Sequence, residues 1–187
     1  NELAPKFSLM KQFSRRFHWL ASVSRGFSPP TVAELLPSTG VISTNLEAES
    51  GWNTETTLRS FLLRNKLTLE LTAFYFKLND ALVQRRDISG ADFFVNAGDV
   101  KQKGIEFHAN YQQQLYRSFI RNFSVRSDVT LNHFQYGIFI KGTDNFSGKN
   151  VPSVPCSVFS LLADVQTEAG FYLNASYYAA SSIYMND

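Results

Sequence analysis

Apolar and polar residues alternate along much of this chain. Residues 105–112 are the clearest case: Ile105, Phe107, Ala109 and Tyr111 are apolar, and Glu106, His108, Asn110 and Gln112 between them are polar. A period of two sends successive side chains to opposite faces of a strand, so this stretch predicts a β-strand with two unlike faces. Residues 123–132 repeat the pattern, with Phe123, Val125, Val129 and Leu131 against Ser124, Arg126, Asp128, Thr130 and Asn132. Residues 67–73 set Leu67, Leu69, Leu71 and Ala73 against Thr68, Glu70 and Thr72. Residues 171–178 set Phe171, Leu173, Ala175 and Tyr177 against Tyr172, Asn174, Ser176 and Tyr178. Weaker alternation lies near 5–12, 17–26, 52–63 and 157–166. The pattern predicts about eight strands and no long helix. A short helical turn is expected at 31–36, after Pro29 and Pro30.

The connections alternate too. Residues 14–16, 64–66 and 167–170 are tight, whereas 28–50, 84–92 and 138–156 are long, and 113–122 is intermediate. Short turns at one end and long loops at the other suit an antiparallel meander in which each strand pairs with its sequence neighbour. Transmembrane barrels have this asymmetry, whereas compact soluble domains seldom carry several loops beyond about 12–15 residues. The stretches 17–27, 67–83 and 93–112 are expected as strands long enough to cross a bilayer, which takes about 9–11 residues. Aromatic residues gather near strand ends: Phe17, Trp19, Phe171 and Tyr172 by the tight turns, and Phe74, Tyr75, Phe76, Phe93, Phe94, Phe134 and Tyr136 by the long loops. Two interfacial aromatic belts are the expectation. The competing reading is a soluble β-sandwich carbohydrate-binding module, with the same aromatics in its core.

Composition narrows the field. Of 187 residues, 44% are hydrophobic, 14% aromatic and 18% charged, which excludes a disordered chain. No apolar run approaches the roughly 20 residues of a spanning helix. The net charge of +2 does not argue for a nucleic-acid partner. A single cysteine, Cys156, excludes an intrachain disulfide and a cysteine-rich zinc site. Glu106 and His108 share a strand face, but two ligands are too few for a metal, and His18 and His133 stand apart. No nucleophile motif or phosphate-cradling glycine loop is present, so neither an enzyme nor a cofactor is expected.

Several segments resemble the TonB-dependent outer-membrane receptors, in that family's order. Ser24-Arg25-Gly26-Phe27-Ser28-Pro29-Pro30-Thr31 with Glu34-Leu35 is similar to the S-x-G-F-x-x-P-T-x-x-E-L stretch. Residues 45–50 resemble N-L-K-P-E, with Glu47 for Lys and Ala48 for Pro. Glu55 and Arg59 match Y-E-x-G-x-R, although Thr54 and Thr57 replace its Tyr and Gly. Residues 71–78 resemble the L-T-A-F-Y strand. Asn96-Ala97-Gly98-Asp99, then Gly104-Ile105-Glu106, match N-A-G-x-x-x-x-x-G-x-E, and residues 151–155 resemble L-P-G-V-P.

The resemblance implies an all-β fold: an antiparallel up-and-down meander of about eight long strands from a barrel of about 22 strands around a plug. Residues 1–187 are then expected to be a partial barrel domain, without the plug and the last strands. The implied function is outer-membrane import, in a Gram-negative bacterium, of a scarce nutrient: a siderophore, a cobalamin-like compound or a glycan. The implied partners are that ligand, TonB acting through the plug, and outer-membrane lipid. Polar alternate positions would face the lumen, which makes Glu70, Glu106, His108, Arg126 and Asp128 candidate ligand contacts, with Glu55, Arg59 and Asp164 on the same side. On the outer loops the candidates are Lys141, Asp144 and Phe146. Gly98 and Gly104 are expected to mark a bulge or bend.

Overall fold

The computed structural model describes residues 3–86, 88–96, 98–116, 118–141 and 144–183, without the side chains of Arg85, Arg86 and Lys141. The strands are β1 (Lys6–Ser14), β2 (Phe17–Ser28), β3 (Glu49–Leu62), β4 (Leu67–Asn79), β5 (Leu82–Arg86), β6 (Asp92–Asn96), β7 (Val100–Gln114), β8 (Ile120–Tyr136), β9 (Ile140–Lys141), β10 (Asp144–Asn145), β11 (Ser157–Thr167) and β12 (Tyr172–Ala180). The expected helical turn is α1 (Val32–Leu35), started by a capping box in which Thr31 and Glu34 satisfy each other's backbone donors.

Eight strands form one antiparallel sheet in the order β1-β2-β3-β4-β7-β8-β11-β12, so the meander is as expected. Two of the expected strands are divided. The 67–83 strand breaks at Asp80, whose φ of 57° lies in the left-handed region. The 93–112 strand breaks between Asn96 and Val100, around Gly98 with φ of 79°. The pieces cut off, β5 and β6, pair with each other as a separate hairpin at the long-loop end, and β9 and β10 form a smaller one.

The register decides the faces. Leu67, Leu69, Leu71 and Ala73 stand opposite Tyr111, Ala109, Phe107 and Ile105. Tyr111, Phe107 and Ile105 in turn stand opposite Val125, Val129 and Leu131. Residues paired across a ladder share a face, so these side chains form one apolar surface. Phe159, Leu161, Ala163 and Val165 of β11 extend it, as do Leu173, Ala175 and Tyr177 of β12. Nothing covers this surface among the described residues: Leu71 is 45% exposed, Ile105 47% and Leu131 50%. A β-sandwich would bury these side chains against a second sheet. The main sheet is a single layer, which removes the sandwich reading.

Buried apolar side chains collect at the long-loop end instead. They are Ala81, Val100, Phe139 and Phe146, with Val83, Val95 and Tyr136 packed against the last two. Among the described residues, β1 pairs only with β2 and β12 only with β11, so the sheet is open at both edges.

The aromatic belts are only partly as expected. Because alternate residues face opposite ways, Tyr75 joins the apolar face while Phe74 and Phe76 turn to the polar one. Phe134 and Tyr136 go with them, opposite Gln102 and Val100. The loop-end aromatics are therefore mostly an inner shelf. Gly104 explains how they fit. The ladder runs through it with no bulge, and a β-carbon there would lie 2.6 Å from Phe74 Cζ and 2.5 Å from the Leu131 carbonyl oxygen. Gly51 makes the same room for Phe76, whose ring would come within 2.5 Å of an added β-carbon.

Candidate functional site

The polar face carries a row of polar side chains at mid-height, linked in two groups. Arg59 on β3 meets Glu70 on β4 through two contacts, Nε to Oε1 at 2.8 Å and a guanidinium N–H donated to Oε2 at 3.1 Å. The ladder places His108 of β7 opposite Glu70, and Asp128 of β8 opposite His108. His108 Nδ1 lies 2.5 Å from Asp128 Oδ1, and the Ser160 hydroxyl of β11 donates to Asp128 Oδ2 at 3.2 Å. Both side chains in the Arg59–Glu70 pair are about a third exposed, 38% and 26%, so each such link is worth at most about 1 kcal/mol. Together the links hold long polar side chains in one arrangement against the wall.

This row brings serine, histidine and aspartate together, with aspartate in the middle. Ser160 gives its hydroxyl hydrogen to Asp128 and not to His108, so the imidazole does not face the serine oxygen as it does in a Ser-His-Asp triad. Among the described residues no three His, Cys, Asp or Glu side chains gather as a metal site would require.

Toward the long loops the polar face opens into a concavity of about 520 Å³, lined by Asn53, Glu55, Thr57, Thr72, Phe74, Phe76, Gln102 and Glu106. Asn53 donates to Glu55 Oε1 at 2.6 Å, and Thr57 and Thr72 share a hydroxyl contact of 2.8 Å. Two phenyl rings on β4, with Glu55 of β3 on one side and Glu106 of β7 on the other, make a surface that can stack a planar group and accept hydrogen bonds from it.

The sequence candidates divide. Glu70, His108 and Asp128 belong to the linked row, and Arg126 lies one pleat from it, exposed, between Asn110 and Leu162. Glu106 lines the concavity, together with Glu55. Asp164 sits on the same face near the tight turns, where Tyr172, Asn174 and Ser124 all donate to it. Asp144 is exposed on β10, opposite Lys141 in the β9 ladder. Phe146 departs from expectation. It is 8% exposed, its ring 5.7 Å from Phe139, with the Lys149 ammonium 4.5 Å from its centroid. A ring so covered braces its own loop.

Reading by alternation missed the aromatic shelf and the way the loops are tied. Asn96 Oδ1 accepts from the Glu47 N–H at 2.8 Å, and its amide donates to the Glu47 carbonyl at 3.0 Å and the Asp80 carbonyl at 2.6 Å. Glu49 Oε1 accepts from the Leu82 N–H at 2.6 Å, and Ser38 bonds the backbone of Asp92. These bonds fasten the 28–50 loop to the β5–β6 hairpin. At Gly98 a β-carbon would come within 1.5 Å of the Ile138 carbonyl oxygen, and the neighbouring Asp99 pairs with Lys77 at 3.2 Å. The signal was present as the quoted 45–50 and 96–99 motifs, whose contacts a linear pattern does not reveal.

Solved structures similar to this fold include two bacterial proteins. The FrpB iron transporter from Neisseria meningitidis (F3-3 variant) aligns with a TM-score of 0.66 at 17% identity over 94% of this chain. The siderophore receptor PirA from Pseudomonas aeruginosa aligns with a TM-score of 0.63, also at 17% identity over 94% of the chain. The chain spans 26% of the first structure and 33% of the second. No curated protein matches it. The family described as "TonB dependent receptor-like, beta-barrel" matches residues 1–187, the full length, and with the open eight-stranded meander this chain belongs to that family.

Proposed function

We propose that this chain is a wall segment of an outer-membrane nutrient receptor in a Gram-negative bacterium. The observation that carries the reading is the pair of unlike faces across β4, β7, β8, β11 and β12: one apolar and uncovered, one polar with side chains bonded from strand to strand. Lipid suits the first and a solvated lumen the second. Residues 1–187 then form a partial barrel domain whose open edges pair with strands elsewhere in the receptor. Leaving those edges unpaired in lipid would cost several kcal/mol per backbone group.

The nutrient is, on this reading, a chelated iron compound. The similar structures are described as an iron transporter and a siderophore receptor. The ligand would descend past the long loops, where Lys141 and Asp144 lie on β9 and β10, into the concavity, with Phe74 and Phe76 stacking on its planar groups and Glu106 accepting hydrogen bonds. Glu70, His108, Arg126 and Asp128 lie further along the lumen path and make secondary contacts. Uptake is driven by TonB through a plug carried outside this chain.

The test is uptake of radiolabelled ferric siderophores by cells expressing the full receptor, with and without TonB. Uptake should require TonB and fall several-fold in Phe76→Ala and Glu106→Gln variants that insert normally. Insertion with no TonB-dependent uptake of any ferric siderophore would refute the ligand class. A receptor found soluble in plain buffer would refute the whole reading.

A further inference from the structure

Above the apolar surface, on the same outward face, the register assembles a cationic patch from distant parts of the chain. Lys77 of β4 stands directly opposite Lys101 of β7. Two residues along, Lys103 stands opposite Tyr75 on one side and His133 of β8 on the other. Directly paired residues have β-carbons about 4.5–5.5 Å apart, and like charges placed so destabilise a sheet. Asp99 answers Lys77 at 3.2 Å. Among the described residues no carboxylate pairs with Lys101 or Lys103, and both, with His133, are exposed. The patch ends where the apolar run begins, at Ile105 and Leu131.

We propose that this patch binds a phosphate-bearing lipid headgroup in the leaflet on the long-loop side. The inference rests on the membrane reading above and adds a ligand to the outside of the wall. An amphiphile matches both parts of this surface, the cationic patch and the uncovered apolar run that adjoins it. Its chains lie on Ile105, Phe107, Leu71 and Leu131, and its phosphate then sits level with the lysines. Lys101 and Lys103 lie two residues apart on one strand, roughly 7 Å, so two ammonium groups can reach one phosphate. Tyr75 supplies an amphipathic ring at the boundary, the usual place for one. The headgroup anion also offsets the Lys77–Lys101 repulsion, so the bound lipid stabilises the sheet.

The experiment uses the full receptor in phosphatidylcholine nanodiscs doped with diphosphorylated or dephosphorylated lipid A, with retained lipid counted by native mass spectrometry. Lys101→Gln with Lys103→Gln should lower retention of the phosphorylated form about tenfold and leave the dephosphorylated form unchanged. Lys11→Gln is the control. It removes a charge from the same outward face near the tight turns, opposite Trp19, and should change nothing. Equal retention of the two lipids by the unmodified receptor would overturn the inference and leave the membrane reading intact. Competition by inorganic phosphate without preference for phosphorylated lipid would overturn it too. Failure to enter nanodiscs at all would strike at the membrane reading itself.

Discussion

Phe107 and Glu106 are neighbours in sequence that face opposite ways, so substituting each with arginine tests the orientation of the wall. Phe107 lies within the outward apolar run of β7, four residues from Lys103 and four from Tyr111. Four residues span roughly 13 Å of strand. At a tilt of about 40° this is about 10 Å along the membrane normal, which places Phe107 near the middle of an apolar band about 25 Å tall. Arginine on the lipid face at that depth costs about 2–4 kcal/mol. At one decade per 1.4 kcal/mol, the folding constant should fall roughly thirty- to several-hundredfold. Arginine at position 106 would stand between Thr72 and Thr130 on the polar face, where water can solvate it. Its cost should stay below about 1 kcal/mol, as for other solvated surface changes. The assay is urea unfolding of the full receptor in lipid vesicles, followed by tryptophan fluorescence. Equal losses at the two positions, or a larger loss at 106, would refute the assignment of faces.

Further outcomes concern the loops and the linked row. Gly98→Ala forces a β-carbon into the Ile138 carbonyl at a φ of 79°, so it should cost at least about 2 kcal/mol and expose the β5–β6 hairpin to limited proteolysis. Asn96→Ala removes three hydrogen bonds and should loosen the 28–50 loop, read as faster amide exchange at Glu47, while leaving β7 and β8 protected. A double-mutant cycle on Arg59→Met and Glu70→Met should return a coupling of about 0.5–1 kcal/mol, because both side chains are about a third exposed. Gly104→Ala should be destabilising by about 1–3 kcal/mol. Adding Phe74→Ala should not restore stability, because the Leu131 carbonyl still blocks the new methyl group.

Much of this protein can be read from the one-dimensional pattern, and the reason is that a strand's period of two is local. Alternation at 67–73, 105–112 and 123–132 was enough to assign Leu71, Ile105 and Leu131 to one face and Glu70, Glu106 and Asp128 to the other. Turn lengths were enough for the meander, since a tight connection leaves a strand little choice of partner. Pro29 and Pro30 pointed to the short helix that follows them, while the Thr31–Glu34 capping box that starts it came from the structure. What alternation cannot supply is height and register between strands. Lys77 is more than twenty residues from Lys101 and Lys103, and only the β4–β7 ladder makes them one patch. The row from Arg59 to Ser160, two linked groups set side by side by the β4–β7 register, likewise spans five strands at one level. Phe74, Phe76 and Phe134 are apolar residues at polar-face positions, where the pattern offers no rule, and the empty volume at Gly104 and Gly51 receives two of them. Phe146 looked like an exposed aromatic in a polar loop, yet packing against Phe139 buries it. Loop structure depends on contacts such as those of Asn96 with Glu47 and Asp80, which join segments with no common period. Those contacts exist only once the strands beneath them have set the distance between the loops.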